Sequence, residues 1–378
     1  MFQVTYAVFV LVFLILAILI QYKILRRRVF LNLKYICQFN CSEATEGDVI
    51  ELVETVENRK RLSIPWLCVR IHTSKWLDYA QSISSVVENN RIVDSSFFLK
   101  GFQKKKKLWK LKCLKRGLFT IENATLISGD LLSLKRISKS VSINQKLLVY
   151  PGILPLEALF VPVNSLPGDH LVRRWIIDDP FIINGVREYS PTDPMNKIHW
   201  GATAREGRLM IKKSDFTSCQ NLTVILNVQS FEDEFYKVSN KDDIELGVKV
   251  AATLLIRAQN SGIPSRLLVN CKIPGTDNVL ISDNGTGAVH TRKLLEQLAL
   301  IELNPQVDFG DFLKTLSLEI NNSEVIIISA YSNKGILNFS RSLKYGTNHV
   351  SVIILDDKVV KEYINDIDIY YLSGAVAS

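Results

Sequence analysis

From Val4 to Ile20 the chain carries no charged residue, and Val8 to Ile20 is an unbroken run of Val, Phe, Leu, Ile and one Ala. Extended to Phe2 and Tyr22, the run covers about 21 residues, or roughly 31 Å of helix at 1.5 Å per residue, the thickness of a bilayer core. This predicts a transmembrane helix over residues 1–22. A cleaved signal peptide fits less well, because no Lys or Arg precedes the run and no small-x-small cleavage site follows it. The basic residues Lys23, Arg26, Arg27, Arg28 and Lys34 come after it, in a juxtamembrane segment 23–34. Since Lys and Arg are retained on the cytoplasmic side, the expected topology is a single pass through the cell (inner) membrane, N-terminus outside and body cytoplasmic.

The whole chain of 378 residues allows about two to three folding units. The formal net charge of +8 invites a nucleic-acid reading, but its distribution argues against one. The juxtamembrane segment holds five positive charges, and Lys100 to Arg116 holds nine, with no carboxylate in either; the remainder is net negative. Nucleic acid is therefore not the expected partner. In the second segment the nine charges, Lys104, Lys105, Lys106, Lys107 and Lys110 among them, are interleaved with Phe102, Leu108, Trp109, Leu111 and Leu114. They read either as a solvated hairpin or as a surface drawn to anionic lipid headgroups, where each charge adds about 1 kcal/mol. The six cysteines show no repeated spacing of a disulfide frame, and only Cys37 and Cys41 lie close, so buried thiols in a reducing compartment are expected.

Residues 35–165 read as a β-rich, sandwich-like domain. Ile50 to Val56 alternates, and Trp66 to Ile71, Leu118 to Ile121 and Leu147 to Tyr150 are strand-forming runs bounded by turn residues. After residue 214 the period changes. Apolar strands at Leu222–Val228, Arg266–Val269, Glu324–Ser329 and Val350–Leu355 alternate with helices at 243–260, 292–301 and 335–343, and Asn284-Gly285 marks a hairpin turn. Strands buried on both faces and alternating with helices predict a doubly wound parallel sheet over 214–378. The expected fold class is thus α+β multidomain: transmembrane helix, β-sandwich-like domain, doubly wound α/β domain.

Between them, 166–213 holds the densest functional-looking stretch. Asp193 is placed as an N-cap, Pro194 at the first helical position and Gly207 as a left-handed C-cap, predicting a helix from about Pro194 to Arg205 and a strand over Leu209 to Lys212. Arg187, Tyr189, Asp193, Pro194, Ile198, His199, Trp200, Ala204 and Arg205 make an R-x-Y-x-x-x-D-P segment followed by I-H-W-x-x-x-A-R. This pattern resembles the signature of the domain-of-unknown-function family number fifty-eight, and the Val149-Tyr150-Pro151 segment resembles the family layout upstream. The resemblance implies a C-terminal domain similar to a von Willebrand factor A domain and partnership with a MoxR-type AAA ATPase. The chain has one apolar run where many relatives carry two. Von Willebrand A domains hold Mg²⁺ with an Asp-x-Ser-x-Ser loop, but here that loop reads Asn227-Val-Gln-Ser-Phe231, and the late strand ends Ile328-Ser-Ala330 without an Asp. A neutral amide in place of a hard carboxylate predicts no bound metal and no cofactor.

The motif itself has three readings. In the first, Arg187 pairs with Asp193 or Glu188 and Trp200 packs a domain junction; in the second, Arg187, His199 and Arg205 face a groove that recognises a partner's acidic segment. In the third, His199 beside Asp193 serves a hydrolase. Because no nucleophile elbow, zinc-protease helix or phosphate loop accompanies them, the expected function is a non-enzymatic, membrane-anchored adaptor or assembly factor docking protein partners. The hydrolase is the alternative.

Overall fold

The computed structural model describes residues 6, 9, 13, 29–79, 84–129, 136–156, 160–162, 186–189, 198–212, 221–234, 238–272, 278–316, 320–344, 348–355 and 367–372. The chain divides into two units, Met1–Tyr150 and Pro151–Ser378.

From residue 29 on, the described elements of the first unit are strands: β1 (Leu33–Phe39), β2 (Glu43–Thr45), β3 (Val49–Asn58), β4 (Ile64–Ser74), β5 (Leu77–Tyr79), β6 (Ser84–Val87), β7 (Asn90–Leu99), β8 (Lys104–Cys113), β9 (Gly117–Gly129) and β10 (Arg136–Tyr150). They form a four-stranded sheet, β1-β3-β8-β5, and a six-stranded sheet, β2-β10-β9-β4-β7-β6. Alternating burial along β7 and β8 gives each sheet one inner face, and the inner faces share a core that includes Leu52, Trp109 and Leu111 from one sheet and Leu67, Phe97 and Leu147 from the other. Between β7 and β8 the chain turns at Gly101. A Cβ there would lie 2.3 Å from the backbone oxygen of Arg61, so only glycine fits.

The second unit contains β11 (Phe160–Pro162), β12 (Val186–Glu188), α1 (Trp200–Glu206), β13 (Met210–Lys212), β14 (Asn221–Leu226), α2 (Lys241–Asn260), β15 (Ser265–Lys272), β16 (Val279–Ile281), α3 (Ala288–Leu300), α4 (Phe309–Leu316), β17 (Ser323–Ser329), α5 (Lys334–Lys344), β18 (His349–Ile354) and β19 (Asp368–Leu372). A seven-stranded sheet runs β11-β19-β18-β17-β14-β15-β16. Its inner strands are near-continuous apolar runs because both faces are covered. Ile244, Val248 and Leu255 of α2 with Leu294 and Leu298 of α3 pack in one core, and Phe309 and Phe312 of α4 with Leu337 and Leu343 of α5 in another. α2 is capped by Asn240, whose side chain accepts from the Asp243 amide. Gly262, with φ +69°, follows its end.

The expected fold class is corrected by these elements. Among the described residues strand makes up 47% and helix 24%, so the described structure is predominantly β. The seven-stranded sheet is mixed, since β16 and β11 pair antiparallel at its two edges; it is not the doubly wound parallel sheet that apolar periodicity suggested. Edge strands of three residues carry too little apolar pattern to register in the sequence. Asn284-Gly285 is not the β15–β16 turn; it lies beyond β16, where Gly285 bridges Ser265. Among the described residues no helix is long and apolar enough to cross a membrane. The expected segment 1–22 lies outside the described residues except for Tyr6, Phe9 and Phe13, which are helical and exposed.

Candidate functional site

The signature stretch folds as a strand, helix and strand within the second unit. β12 and β13 pair antiparallel, with Arg187 opposite Ile211 and Glu188 opposite Met210. α1 is inserted between them. The His199 N–H donates to the Met210 carbonyl at 2.8 Å and ties the entry of α1 to β13, and the Tyr189 N–H, just after β12, donates to the Leu209 carbonyl at 2.9 Å. His199, not Asp193, caps α1: its Nδ1 accepts the Ala202 N–H at 3.0 Å. At the other end Gly207 takes the left-handed conformation, φ 69°, and its N–H bonds the Thr203 carbonyl. The Thr203 hydroxyl accepts from Met210 N–H at 3.0 Å, so helix and return strand are stitched together. Ile198 and Met210 are buried beneath, whereas Trp200 is 70% exposed and Arg205 is exposed. A seven-residue helix with no buried residue gains little from packing; its caps and strand bonds hold it. Glu188 reaches Arg208 at 3.6 Å, with both side chains largely solvated. Tyr189 is half-buried, while Asp193, Pro194 and the Arg187 side chain lie outside the described residues.

A second cluster lies where β14 and β17 end, the end at which open sheets of parallel strands place ligands. Asn227, Gln229 and Asn270 are fully buried there. Asn227 Oδ1 accepts from the Gln229 amide at 3.0 Å and from Asn270 Nδ2 at 3.2 Å, and its Nδ2 donates to Ser329 Oγ at 3.0 Å. Asn270 Oδ1 accepts the Val228 N–H at 2.8 Å. Gln229 Oε1 accepts the Phe309 N–H at 2.8 Å, and its Nε2 donates to the Glu234 carbonyl at 2.6 Å and Asp308 Oδ1 at 3.4 Å. The Glu234 carboxyl is itself taken by the amides of Ser230 and Ser239. Burial pushes the Tyr331 hydroxyl beside this cluster up to about 12. These amides lock the strand-end loops to one another. Among the described residues no group of three or more His, Cys, Asp or Glu is placed to hold a metal ion. Sequence reasoning found Asn227 and Gln229, but it missed Asn270, Asp308 and Tyr331, which come from segments distant in the chain.

In the first unit the lysines of β8 divide between two faces. Lys104, Lys106, Lys110 and Lys112 are exposed. Lys105 and Lys107 alternate onto the other side, their ammonium groups 5.8 Å from the Phe98 ring centre and 3.9 Å from that of Trp109. The five described cysteines are free thiols, and burial pushes Cys37 up to about 12 and Cys113 up to about 11.

Residues 185–362 match a family model described as "Protein of unknown function DUF58". Over those residues, just under half of the chain, it is similar to the DUF58 family. The match begins two residues before Arg187 and so takes in the whole hairpin. No curated protein matches the chain. Among solved structures, the CARDB domain of a Pyrococcus furiosus protein is 14% identical, with 31% of this chain and 86% of that chain covered at a TM-score of 0.21. A non-cellulosomal cohesin from Archaeoglobus fulgidus is 15% identical over 31% and 91% of the two chains, TM-score 0.21. A cohesin module of a Clostridium perfringens glycoside hydrolase is 16% identical over 29% and 98%, TM-score 0.19. Likeness at these scores carries no argument, and the topology above rests on strand pairing alone.

Proposed function

We propose that this DUF58-like protein is a non-enzymatic adaptor or assembly factor that docks protein partners, among them a MoxR-type AAA ATPase, through the hairpin bearing Trp200 and Arg205. The observation that carries this reading is the large indole held 70% exposed on a helix whose two ends are both fixed. Solvating an indole is unfavourable in isolation, and Trp and Arg are the residues that most often dominate protein interfaces. The pre-set helix lowers the ordering cost of binding. The charge-free run Val4 to Ile20 and the basic residues after it support a location at the cell membrane with the body cytoplasmic.

The test is the affinity of the detergent-solubilised full chain for the purified MoxR-type ATPase of the same cell. Trp200→Ala should weaken binding by roughly 2 kcal/mol, about 30-fold, and Arg205→Ala by less. Equal affinity for all three forms refutes docking through the hairpin, and no binding by the wild type refutes the ATPase as partner. The hydrolase alternative gains no support from His199. Because Nδ1 accepts a backbone N–H, the neutral ring carries its proton on Nε2, a donor and not a base.

A further inference from the structure

We infer that the outer face of the four-stranded sheet in the first unit is a docking surface for an anionic lipid bilayer, an assignment that does not rest on the adaptor reading. In antiparallel pairs, residues directly opposite share a face. The register therefore places Lys34, Glu57 and Lys104 in one row, Ile36, Thr55 and Lys106 in the next, then Gln38, Val53 and Leu108, and the pairs Glu51–Lys110 and Val49–Lys112 beyond. Lys104, Lys106, Lys110 and Lys112 thus line one strand at two-residue spacing, about 7 Å apart along it, interrupted only by Leu108. All four are exposed, and among the described residues none is in an ion pair. The carboxylates of the face are Glu51, Glu57 and Asp78, and two of them are already engaged, Glu57 by Arg59 and Asp78 by Arg91, each at 2.9 Å.

The apolar residues decide what kind of anion fits. Leu108 is 61% exposed and Val49 63% exposed, set among the lysines on a sheet surface. A lysine array that also presents aliphatic groups suits a headgroup layer, where ammonium groups meet phosphate and carboxylate and aliphatic side chains enter the acyl boundary. A single-stranded nucleic acid is held by stacking on aromatic rings, and none of the residues aligned on this face is aromatic. The two aromatic-stacked lysines, Lys105 and Lys107, lie on the opposite side of the strand.

The test is partition of the full chain between buffer and vesicles, either of phosphatidylcholine alone or of equal parts phosphatidylcholine and phosphatidylserine. Neutral vesicles set the baseline contributed by the rest of the chain. Wild type should partition at least tenfold more strongly into the anionic vesicles, and high salt should remove the gain, since each lysine near such a surface is worth about fivefold. Replacing Lys104, Lys106, Lys110 and Lys112 by Gln should abolish the gain, and replacing all four by Arg should retain it. The single variant Lys106→Glu, a minimal change to a solvated position, should reduce it severalfold and guards against misfolding of the quadruple variant. Replacing Lys241, Lys293, Lys314 and Lys334 by Gln, the same charge removed elsewhere, should leave it intact. The assignment is overturned if the β8 Gln variant partitions like wild type, if the distant variant loses as much, or if a single-stranded RNA competitor strips wild type from the anionic vesicles as effectively as salt.

Discussion

Each unit buries polar side chains in a core that is otherwise hydrocarbon, and the two do it with different chemistry. In the first, one carboxyl, Glu54, lies fully buried on β3 and accepts from Tyr35 Oη at 2.7 Å, from Trp109 Nε1 at 2.7 Å and from Ser95 Oγ. Tyr35 and Trp109 belong to its own sheet and Ser95 to the facing one, so a single acceptor ties the two layers together at a fixed register. Burial, then the Glu54 carboxyl, pushes the Tyr35 hydroxyl far up, which keeps it a donor. In the second unit the buried groups are neutral amides, and each both donates and accepts within its own cluster. A lone carboxyl concentrates the requirement for donors in one place, whereas an amide network spreads it over several loops. Loss of one member should therefore matter more in the first unit.

The largest effect is expected from Glu54→Gln, which keeps the volume but turns one acceptor into a donor, set against either Tyr35 or the Ser95 and Trp109 donors. Stranding those donors should destabilise by roughly 3 kcal/mol in denaturant unfolding. A loss under about 1 kcal/mol would mean the carboxyl is not what joins the sheets. Asn227→Asp removes the donor to Ser329 and buries a charge, but the serine hydroxyl can turn to donate, so about 2 kcal/mol is expected. If Mg²⁺ at millimolar concentration raises the wild-type unfolding temperature, the strand-end cluster is a cation site and not a loop lock.

How much of this was legible depends on how many faces each element buries. β14, β17 and β18 were found because both faces are covered and their apolar runs are continuous. β8 was legible only as part of a solvated hairpin, because lysines occupy both of its rows, the ammonium groups of Lys105 and Lys107 lying near the Phe98 and Trp109 rings. The eight residues of α4 make little more than two turns, too few for periodicity to register. For Glu54 the signal was present: the alternation Ile50, Leu52, Glu54, Val56 puts it on the buried face. Gly207 was readable from helix-end chemistry, but His199 as a cap was not, since Ser, Thr, Asp and Asn are the usual caps.

The smallest effect should come from His349, which sits on β18 with its Nε2 3.3 Å from Asp368. That hydrogen bond raises its pKa above the ordinary value near 6.5. A raised folded value means the pair contributes its full stability below about pH 6.5 and loses it as pH climbs through the folded value. Half-solvated partners make the contribution slight. Comparing His349→Gln with wild type at pH 5.5 and pH 8.5 should show a difference only at the lower pH; a larger difference at the higher pH would reverse the sign.

The second unit presents two exposed aromatic residues on its two candidate surfaces, Trp200 on the capped helix and Phe231, 54% exposed, beside the amide cluster. Placing a photo-crosslinking phenylalanine at either position of the full chain and irradiating with the purified MoxR-type ATPase separates them. Crosslinking from position 200 and not from position 231 is the predicted result. Crosslinking from 231 alone would contradict the account and move the docking surface to the ends of the strands.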